Sequence, residues 1–291
     1  MGISKDPKLE NVVRITADVD GPRVVMFSGI HGDEVSGVHA AEKLLFDFFG
    51  GERHLTRGSL VLVRANKHAL AAECRYVKHN LNRLFRNEYG SEIDRGSYEF
   101  KRAQELKPIL LNCDYFLDFH SAPIAQEPFL VAERGSIEFF RRLGISRIIT
   151  GWNKFASGTI GGDAENYANS CGAKAATLES GSHFERQSIA VAYKAAVSVL
   201  SALDMTEPSE KQSKANIDIF DVYNVVTKSA DDFRYVDNVK NFHFFKTGEP
   251  FAFQNGNPIT VSEDTYLLIP MKPEDTKLRE EVGYLGRKLA A

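Results

Sequence analysis

RVVMFSGIHGDEVSGVHAAEKLLFDFFGG, residues 23–51, is the stretch that decides the fold. It opens with a short apolar run over residues 23–30, which is typical of a buried strand. Apolar residues then recur at helical spacing from Val35 to Phe48, and the two glycines that follow can end the helix. A buried strand that leads directly into an amphipathic helix is the unit from which α/β sheets are built.

The alternation of strands and helices continues to about residue 204. Strands are predicted at residues 12–19, 60–65, 115–119, 128–132, 147–150 and 174–179, and helices at residues 98–112 and 186–204. Residues 66–96 are polar and predict a long loop, and loops of that length often carry function. Residues 157–163 are glycine-rich and predict a flexible loop. The pattern indicates an α/β sheet covered by helices on both faces.

The pattern changes near residue 206. Residues 206–216, TEPSEKQSKAN, are polar and resemble a linker, and only short alternating runs follow them, which favours a β-rich segment. We therefore predict two domains, a larger one over residues 1–208 and a smaller β-rich one over residues 209–291.

Composition excludes several functional classes. The 36 Lys and Arg residues are balanced by 39 Asp and Glu residues, without a block of like charge, so no nucleic-acid or membrane partner is predicted. No apolar run approaches the roughly 18 residues that span a bilayer. The three cysteines lie far apart and form no CxxC pair, which is typical of a reducing compartment. We expect a cytoplasmic protein.

Residues that can bind a metal or move a proton follow three of the predicted strands. His31 and Glu34 are three apart, so the first helical turn can place both on one side. His120 and Glu179 each stand at the carboxyl end of a strand, where ligands of open α/β sheets collect. Two imidazoles and one carboxylate form a known catalytic zinc set, and Glu179 could act as general base toward a zinc-bound water. Asp118, two residues before His120, could orient that ligand.

A further candidate segment is CRYVKHNLNRLF, residues 74–85. Arg75 and Arg83 could bind a carboxylate through paired hydrogen bonds or stabilise an oxyanion. Each of these candidates also has a purely structural interpretation. These interpretations are a helix entry for the His31 segment, a core histidine for His120, a surface turn for Glu179 and a solvated basic loop for the arginines.

Taken together, GIHGDE, NLNRLF, DFH and the Leu-Glu-Ser-Gly turn resemble, in order and interval, the succinylglutamate desuccinylase/aspartoacylase family. EDTYLLIP and GYLGR in the tail are similar to the C-terminal domain of that family. The resemblance covers nearly the whole chain. It implies a zinc-carboxypeptidase-like fold, in which helices flank a mixed sheet and a smaller β-rich domain follows.

The resemblance also implies roles for individual residues. His31, Glu34 and His120 would bind one Zn²⁺ per chain, and Glu179 would be the general base and proton shuttle. Arg75 would polarise the scissile carbonyl. Asn82 and Arg83 would hold the α-carboxylate of the substrate, and Tyr284 would be a further substrate contact. The implied reaction is hydrolysis of the amide bond of a small N-acyl amino acid by metal-activated water.

Two positions depart from the family pattern. Asn80 stands where the family has aspartate, and in an ungapped comparison Asn169 stands where aspartoacylase has an arginine that helps bind the aspartate side chain. The sequence does not determine whether the acyl group of the substrate is acetyl, succinyl or another, nor whether the chain forms a homo-oligomer. His183 lies close enough to Glu179 in sequence for a contact with substrate.

The sequence alone leaves three alternatives to this function. One is a metallocarboxypeptidase that acts on peptides, and another is a non-catalytic homologue that binds a metabolite. A serine hydrolase is disfavoured because the chain has no Gly-x-Ser-x-Gly motif.

Overall fold

The computed structural model describes residues 1–123, 126–155, 161–183, 185–207 and 216–290. The predicted loop at residues 157–163 and the linker at residues 206–216 lie largely outside these ranges. The described chain divides into two compact units, one comprising Met1–Ile148 and Phe155–Ile217, the other Ile149–Lys154 and Asp218–Ala291. The second unit thus includes residues 149–154, which the sequence boundary at residue 208 assigns to the first domain.

The first unit is built on a mixed sheet. Its strands are β1 (Gly2–Lys5), β2 (Val12–Thr16), β3 (Arg23–Ser28), β4 (Ser59–Arg64), β5 (Tyr115–Ala122), β6 (Phe129–Ala132), β7 (Arg147–Thr150) and β8 (Lys174–Ser182), in the spatial order β1-β2-β4-β3-β5-β8-β6-β7. The last two residues of β7 fall in the second unit. Neighbours from β4 through β3 and β5 to β8 are parallel, whereas β1, β2 and β6 pair antiparallel to their neighbours. The carboxyl ends of β3, β5 and β8 therefore meet at one edge.

Six α-helices accompany this sheet in the described ranges. They are α1 (Ser36–Phe49), α2 (Lys67–Ala71), α3 (Tyr98–Leu111), α4 (Arg134–Phe140), α5 (Ala164–Ser170) and α6 (Arg186–Ala202). Residues of α3 and α5 pack against β3 and β5, where the ring of Phe27 meets that of Phe116 edge-on at 4.9 Å. Helices α1 and α6 contact each other and also β5. Strand β3 is consequently buried from Val24 to Ser28, as its continuous apolar run predicts.

Gly37, the second residue of α1, allows this helix to lie very close to β5. A Cβ atom at residue 37 would overlap the Cβ of Phe119, the residue before His120. The absence of a side chain thus sets the spacing between α1 and the strand that carries His120.

The second unit consists of antiparallel strands. β9 (Asp218–Thr227), β15 (Glu281–Lys288), β14 (Thr265–Leu268) and β11 (His243–Phe245) pair in that order, and β10 (Arg234–Tyr235), β12 (Pro250–Gln254) and β13 (Asn257–Thr260) form a second small sheet. Phe233, Phe245, Phe251 and Leu267 are part of its own hydrophobic core. A separate core is the physical basis of its compactness.

The structure departs from the predicted elements in three places. The polar segment 66–96 contains helix α2, whose first turn is capped because the Asn66 side chain accepts a hydrogen bond from the Ala69 amide at 3.1 Å. Helices α4 and α5 are each only seven residues long, so helical periodicity could not reveal them. Strand β1 is polar because it lies at the edge of the sheet. None of the described helices is both long and apolar enough to cross a membrane.

Gly37→Ala should lower the free energy of unfolding by about 1–3 kcal/mol, because the added methyl group overpacks the contact with Phe119. Gly135, the second residue of α4, has open space around its Cβ position, so Gly135→Ala should instead raise stability by up to about 1 kcal/mol. Urea unfolding followed by circular dichroism measures both variants. Equal effects of the two substitutions would contradict the close packing of α1 on β5.

Candidate metal centre

Four side chains converge at the carboxyl edge of the parallel strands. His31 and Glu34 lie between β3 and α1, His120 lies in β5, and Glu179 lies in β8. The register of β5 and β8 pairs His120 directly with Glu179. Parallel pairing therefore brings together residues that are far apart in the sequence.

Three of these residues form a buried cluster around one carboxylate. His31, Glu34 and His120 are each no more than 4% exposed. Nδ1 of His31 lies 2.8 Å from Oε1 of Glu34, and Nδ1 of His120 lies 2.8 Å from Oε2. One donor atom from each residue falls within 4.8 Å of the others, a spacing that can hold a metal ion.

The outer nitrogen of each imidazole also has a partner. Nε2 of His31 lies 3.1 Å from Oδ1 of Asn80, and Nε2 of His120 lies 3.0 Å from Oδ2 of the buried Asp118. The backbone amide of Asn82 donates to the same Asn80 atom at 2.9 Å, which identifies that atom as the amide oxygen. His31 therefore carries its hydrogen on Nε2.

This tautomer leaves a conflict that a cation would resolve. Burial and the positive charge of Arg75 lower the pKa of His31 to about 4, so its imidazole is neutral near pH 7. With the hydrogen on Nε2, the lone pair of Nδ1 faces an oxygen of the Glu34 carboxylate, and both atoms are acceptors. A positive ion between them satisfies both. The donor set thus fits a divalent metal.

His120 is held differently. Burial opposes a charge on its ring, but the carboxylates of Asp118 and Glu34 raise its pKa well above the usual range. Glu34 itself is kept ionised: burial acts to raise its pKa, yet His31 and His120 lower it well below the usual value. The backbone amide of Ser121 also donates to Oε2 of Glu34 at 3.0 Å.

Arg75 lies at the exposed side of this cluster. Its Nη1 donates to Oε1 of Glu34 at 3.0 Å, while 49% of its side chain remains exposed. The guanidinium is therefore fixed beside the candidate metal position and still has donors that can reach a ligand.

Glu179 is a carboxyl group poised between its two protonation states. Burial and the negative charge of Glu34 raise its pKa to about 7. Its Oε2 is buried and has no hydrogen-bond partner among the described residues. A carboxyl with a pKa near the working pH, beside a candidate metal position, has the properties of a general acid and base.

Asn82 and Arg83 lie together in a short 3₁₀ helix, Leu81–Arg83. The side-chain oxygen of Asn82 accepts a hydrogen bond from the amide of Ala164 at 3.0 Å, which leaves its NH₂ group as a donor. Nη1 of Arg83 donates to the carbonyl oxygen of Asn82 at 2.9 Å. This turn can therefore offer two kinds of donor to an anion.

Two further residues considered from the sequence are Tyr284 and Asn169. Tyr284 lies in β15 of the second unit, fully buried, with its ring 4.3 Å from that of Trp152. Asn169 bonds to Glu165, Ser136 and the amide of Ala175. Ala175 precedes Glu179 by four residues, about 13 Å along a strand, so Asn169 lies at the other end of β8 from the candidate centre. Asn169 thus lies away from the candidate centre in this chain.

Two contacts were not anticipated from the sequence. Asn80 appeared only as a departure from a family pattern, whereas the structure places it on His31. The hydroxyl of Ser121 lies 2.8 Å from Nδ1 of His183, which brings that histidine beside the strand of His120. No spacing in the chain indicates either contact, because both join segments that are distant in sequence.

Comparisons with known proteins identify the family of the chain. Residues 20–204 match the model of the succinylglutamate desuccinylase/aspartoacylase catalytic domain. The chain is 27% identical over 267 residues to a succinylglutamate desuccinylase of Pseudoalteromonas atlantica, which covers 83% of this chain and 74% of that one. It is 36% identical over 107 residues, 34% of this chain and 33% of the other, to an N-acyl-aromatic-L-amino acid amidohydrolase (carboxylate-forming) of Xenopus tropicalis.

Among solved structures, succinylglutamate desuccinylase from Vibrio cholerae superposes with a TM-score of 0.80 at 20% identity, over 99% of this chain and 90% of that one. This likeness concerns the fold, which is the α/β architecture with a mixed sheet that the sequence indicated. The family model covers more than half of the chain, including His31, Glu34, His120 and Glu179. The chain is therefore a member of the succinylglutamate desuccinylase/aspartoacylase family.

Proposed function

We propose that this chain is a Zn²⁺-dependent amidohydrolase that removes the acyl group from a small N-acyl amino acid. One observation carries the proposal: Nδ1 of His31 and Nδ1 of His120 each lie 2.8 Å from an oxygen of the Glu34 carboxylate in a buried cluster beside Glu179. The names of the relatives, a desuccinylase and an N-acyl amino acid amidohydrolase, support a hydrolase that acts on acylated amino acids.

His31, Glu34 and His120 would hold the metal. Two imidazole nitrogens and one carboxylate oxygen are a donor set typical of catalytic zinc, which leaves a position for a non-protein ligand. When bound, Zn²⁺ supplies Lewis-acid chemistry toward a water molecule and a carbonyl group. Asp118 fixes the ring of His120, as a hydrogen-bonded carboxylate does for many ligand histidines.

Glu179 would move the proton. Its carboxylate accepts a proton from the attacking water and later delivers it to the nitrogen of the leaving amine. The carbon–nitrogen bond of the amide breaks, and a carboxylate and a free amino acid result. A pKa of about 7 suits both steps, because neither protonation state is strongly favoured.

Arg75 would stabilise the negative charge that develops on the carbonyl oxygen. Its hydrogen bond to Glu34 fixes the guanidinium, so little reorganisation is needed when that charge appears. Asn82 and Arg83 would bind the α-carboxylate of the substrate. Tyr284 stays a prediction as a substrate contact, and so do a cytoplasmic location and a homo-oligomer.

The decisive experiment is hydrolysis by the zinc-loaded protein of a panel that contains N-acetyl and N-succinyl amino acids together with peptides. The proposal expects turnover of at least one N-acyl amino acid. Turnover of peptides alone would indicate a metallocarboxypeptidase, and binding of N-acyl amino acids without hydrolysis would indicate a metabolite-binding homologue. Either result would overturn the proposal.

Metal removal should lower thermal stability as well as activity, because the ion binds the folded centre and not the unfolded chain. At a free Zn²⁺ concentration 100 times the Kd, the ion adds about 2.7 kcal/mol to the free energy of unfolding. Thermal unfolding with chelator and with graded Zn²⁺ measures this effect. His120→Ala should abolish it. An unchanged midpoint in the unsubstituted protein would argue against the metal site.

Glu179→Gln should reduce kcat about 10²–10⁴-fold, since it removes the proton carrier, while Zn²⁺ binding is retained. Glu165→Gln is a matched control, because burial raises the pKa of Glu165 well above the usual range, so glutamine resembles its neutral form. The control should keep its activity. Steady-state kinetics with metal analysis of each variant provides the readout, and near-normal turnover by Glu179→Gln would refute the assigned base.

Arg83→Ala should raise KM for an N-acyl amino acid by about 10–100-fold, which corresponds to a lost charged hydrogen bond of about 1.5–3 kcal/mol. For the carboxamide of that substrate, the variant and the unsubstituted protein should have the same KM, since the carboxamide lacks the charged group that Arg83 would bind. Parallel KM measurements on the acid and the carboxamide test the clamp. Equal losses on both substrates would show a structural role for Arg83 instead.

A further inference from the structure

The two ligand histidines are supported by different groups. Nε2 of His120 is bonded to a carboxylate oxygen of Asp118, which is fully buried. Nε2 of His31 is bonded to the side-chain amide oxygen of Asn80. A carboxylate partner brings a negative charge and makes the imidazole a stronger electron-pair donor to a metal ion, whereas an amide partner only orients the ring.

The Asn80 oxygen has a second role in the same position. It accepts the backbone N–H of Asn82 at 2.9 Å and so caps the 3₁₀ helix that carries the proposed carboxylate clamp. The ring of His31 and the turn of Asn82 and Arg83 are therefore held by one atom. Loss of that atom must affect both the ligand ring and the clamp.

We infer that Asn80 is a positioning residue that fixes the tautomer of His31, links this ligand to the substrate clamp, and keeps the metal affinity of the centre below the value a carboxylate would give. The inference rests on the proposed function, since it concerns the same metal position. It predicts different effects for two substitutions of Asn80. Aspartate keeps both acceptor contacts and adds a negative charge, whereas alanine removes both contacts.

Asn80→Asp should bind Zn²⁺ about 10-fold more tightly than the unsubstituted protein, since a carboxylate partner makes the His31 imidazole a stronger electron-pair donor to the metal. Its KM should change little, because aspartate still caps the turn of Asn82 and Arg83. Asn80→Ala should bind Zn²⁺ about 10–100-fold more weakly and should also raise KM. If Asn80 acted in folding alone, Asn80→Asp would not bind Zn²⁺ more tightly than the unsubstituted protein, because a purely structural contact gives no reason for a gain in affinity.

Asn66→Asp is the matched control. Asn66 is also a fully buried asparagine that caps a turn, through its bond to the Ala69 amide, and it has no hydrogen bond to a ligand histidine among the described residues. A gain in Zn²⁺ affinity caused merely by one more negative charge would appear in this variant too. We expect its affinity and KM to match those of the unsubstituted protein.

The test is competition of the metal-free proteins with a chelator of known Zn²⁺ affinity, combined with KM on the best substrate of the panel and circular dichroism to confirm folding. Tighter binding by Asn80→Asp but not by Asn66→Asp supports the inference, and this comparison stands even where Asn80→Ala does not fold. Equal affinities of Asn80→Asp and the unsubstituted protein, or an equal gain in the control, would overturn it. Failure of the unsubstituted protein to bind Zn²⁺ would instead overturn the proposed function and, with it, this inference.

Discussion

The carboxylate of Glu34 is the group on which the candidate centre depends. Its two oxygens face the imidazoles of His31 and His120, and they also accept hydrogen bonds from Arg75 and from the backbone of Ser121. A buried carboxylate is costly unless such partners surround it. The same partners bring donor atoms from three parts of the chain within reach of one ion.

The fold provides this arrangement through parallel strands and one close helix contact. β3, β5 and β8 end at the same edge, so residues that follow them must share a small volume. The missing side chain at Gly37 lets α1 approach β5, beside the residue that precedes His120. Glu34, just before α1, is thereby held against the strand that carries the second histidine.

Electrostatic interactions give the neighbouring carboxyl group, that of Glu179, a much higher pKa than that of Glu34. Glu34 stays ionised because the histidines lower its pKa, and its charge, added to burial, raises the pKa of Glu179 to about 7. Two carboxyl groups at one site thus differ in protonation, because the pKa of Glu34 lies well below its usual value and that of Glu179 is raised to about 7. This difference supports the proposed roles of ligand and base, and it arises only when both side chains share one desolvated pocket.

The sequence alone determined the alternating α/β pattern, the β-rich tail and the residue types at the strand ends, because periodicity and local spacing encode them. It also indicated His31, Glu34, His120 and Glu179 as a group, since strand ends converge in such sheets. It could not assign Asn80 to His31 or place Asn169 at the far end of β8, because neither contact follows from local spacing. Only the tertiary structure decided these positions, together with the tautomer of His31 and the raised pKa of Glu179, since each depends on atoms that distant segments bring within a few ångströms.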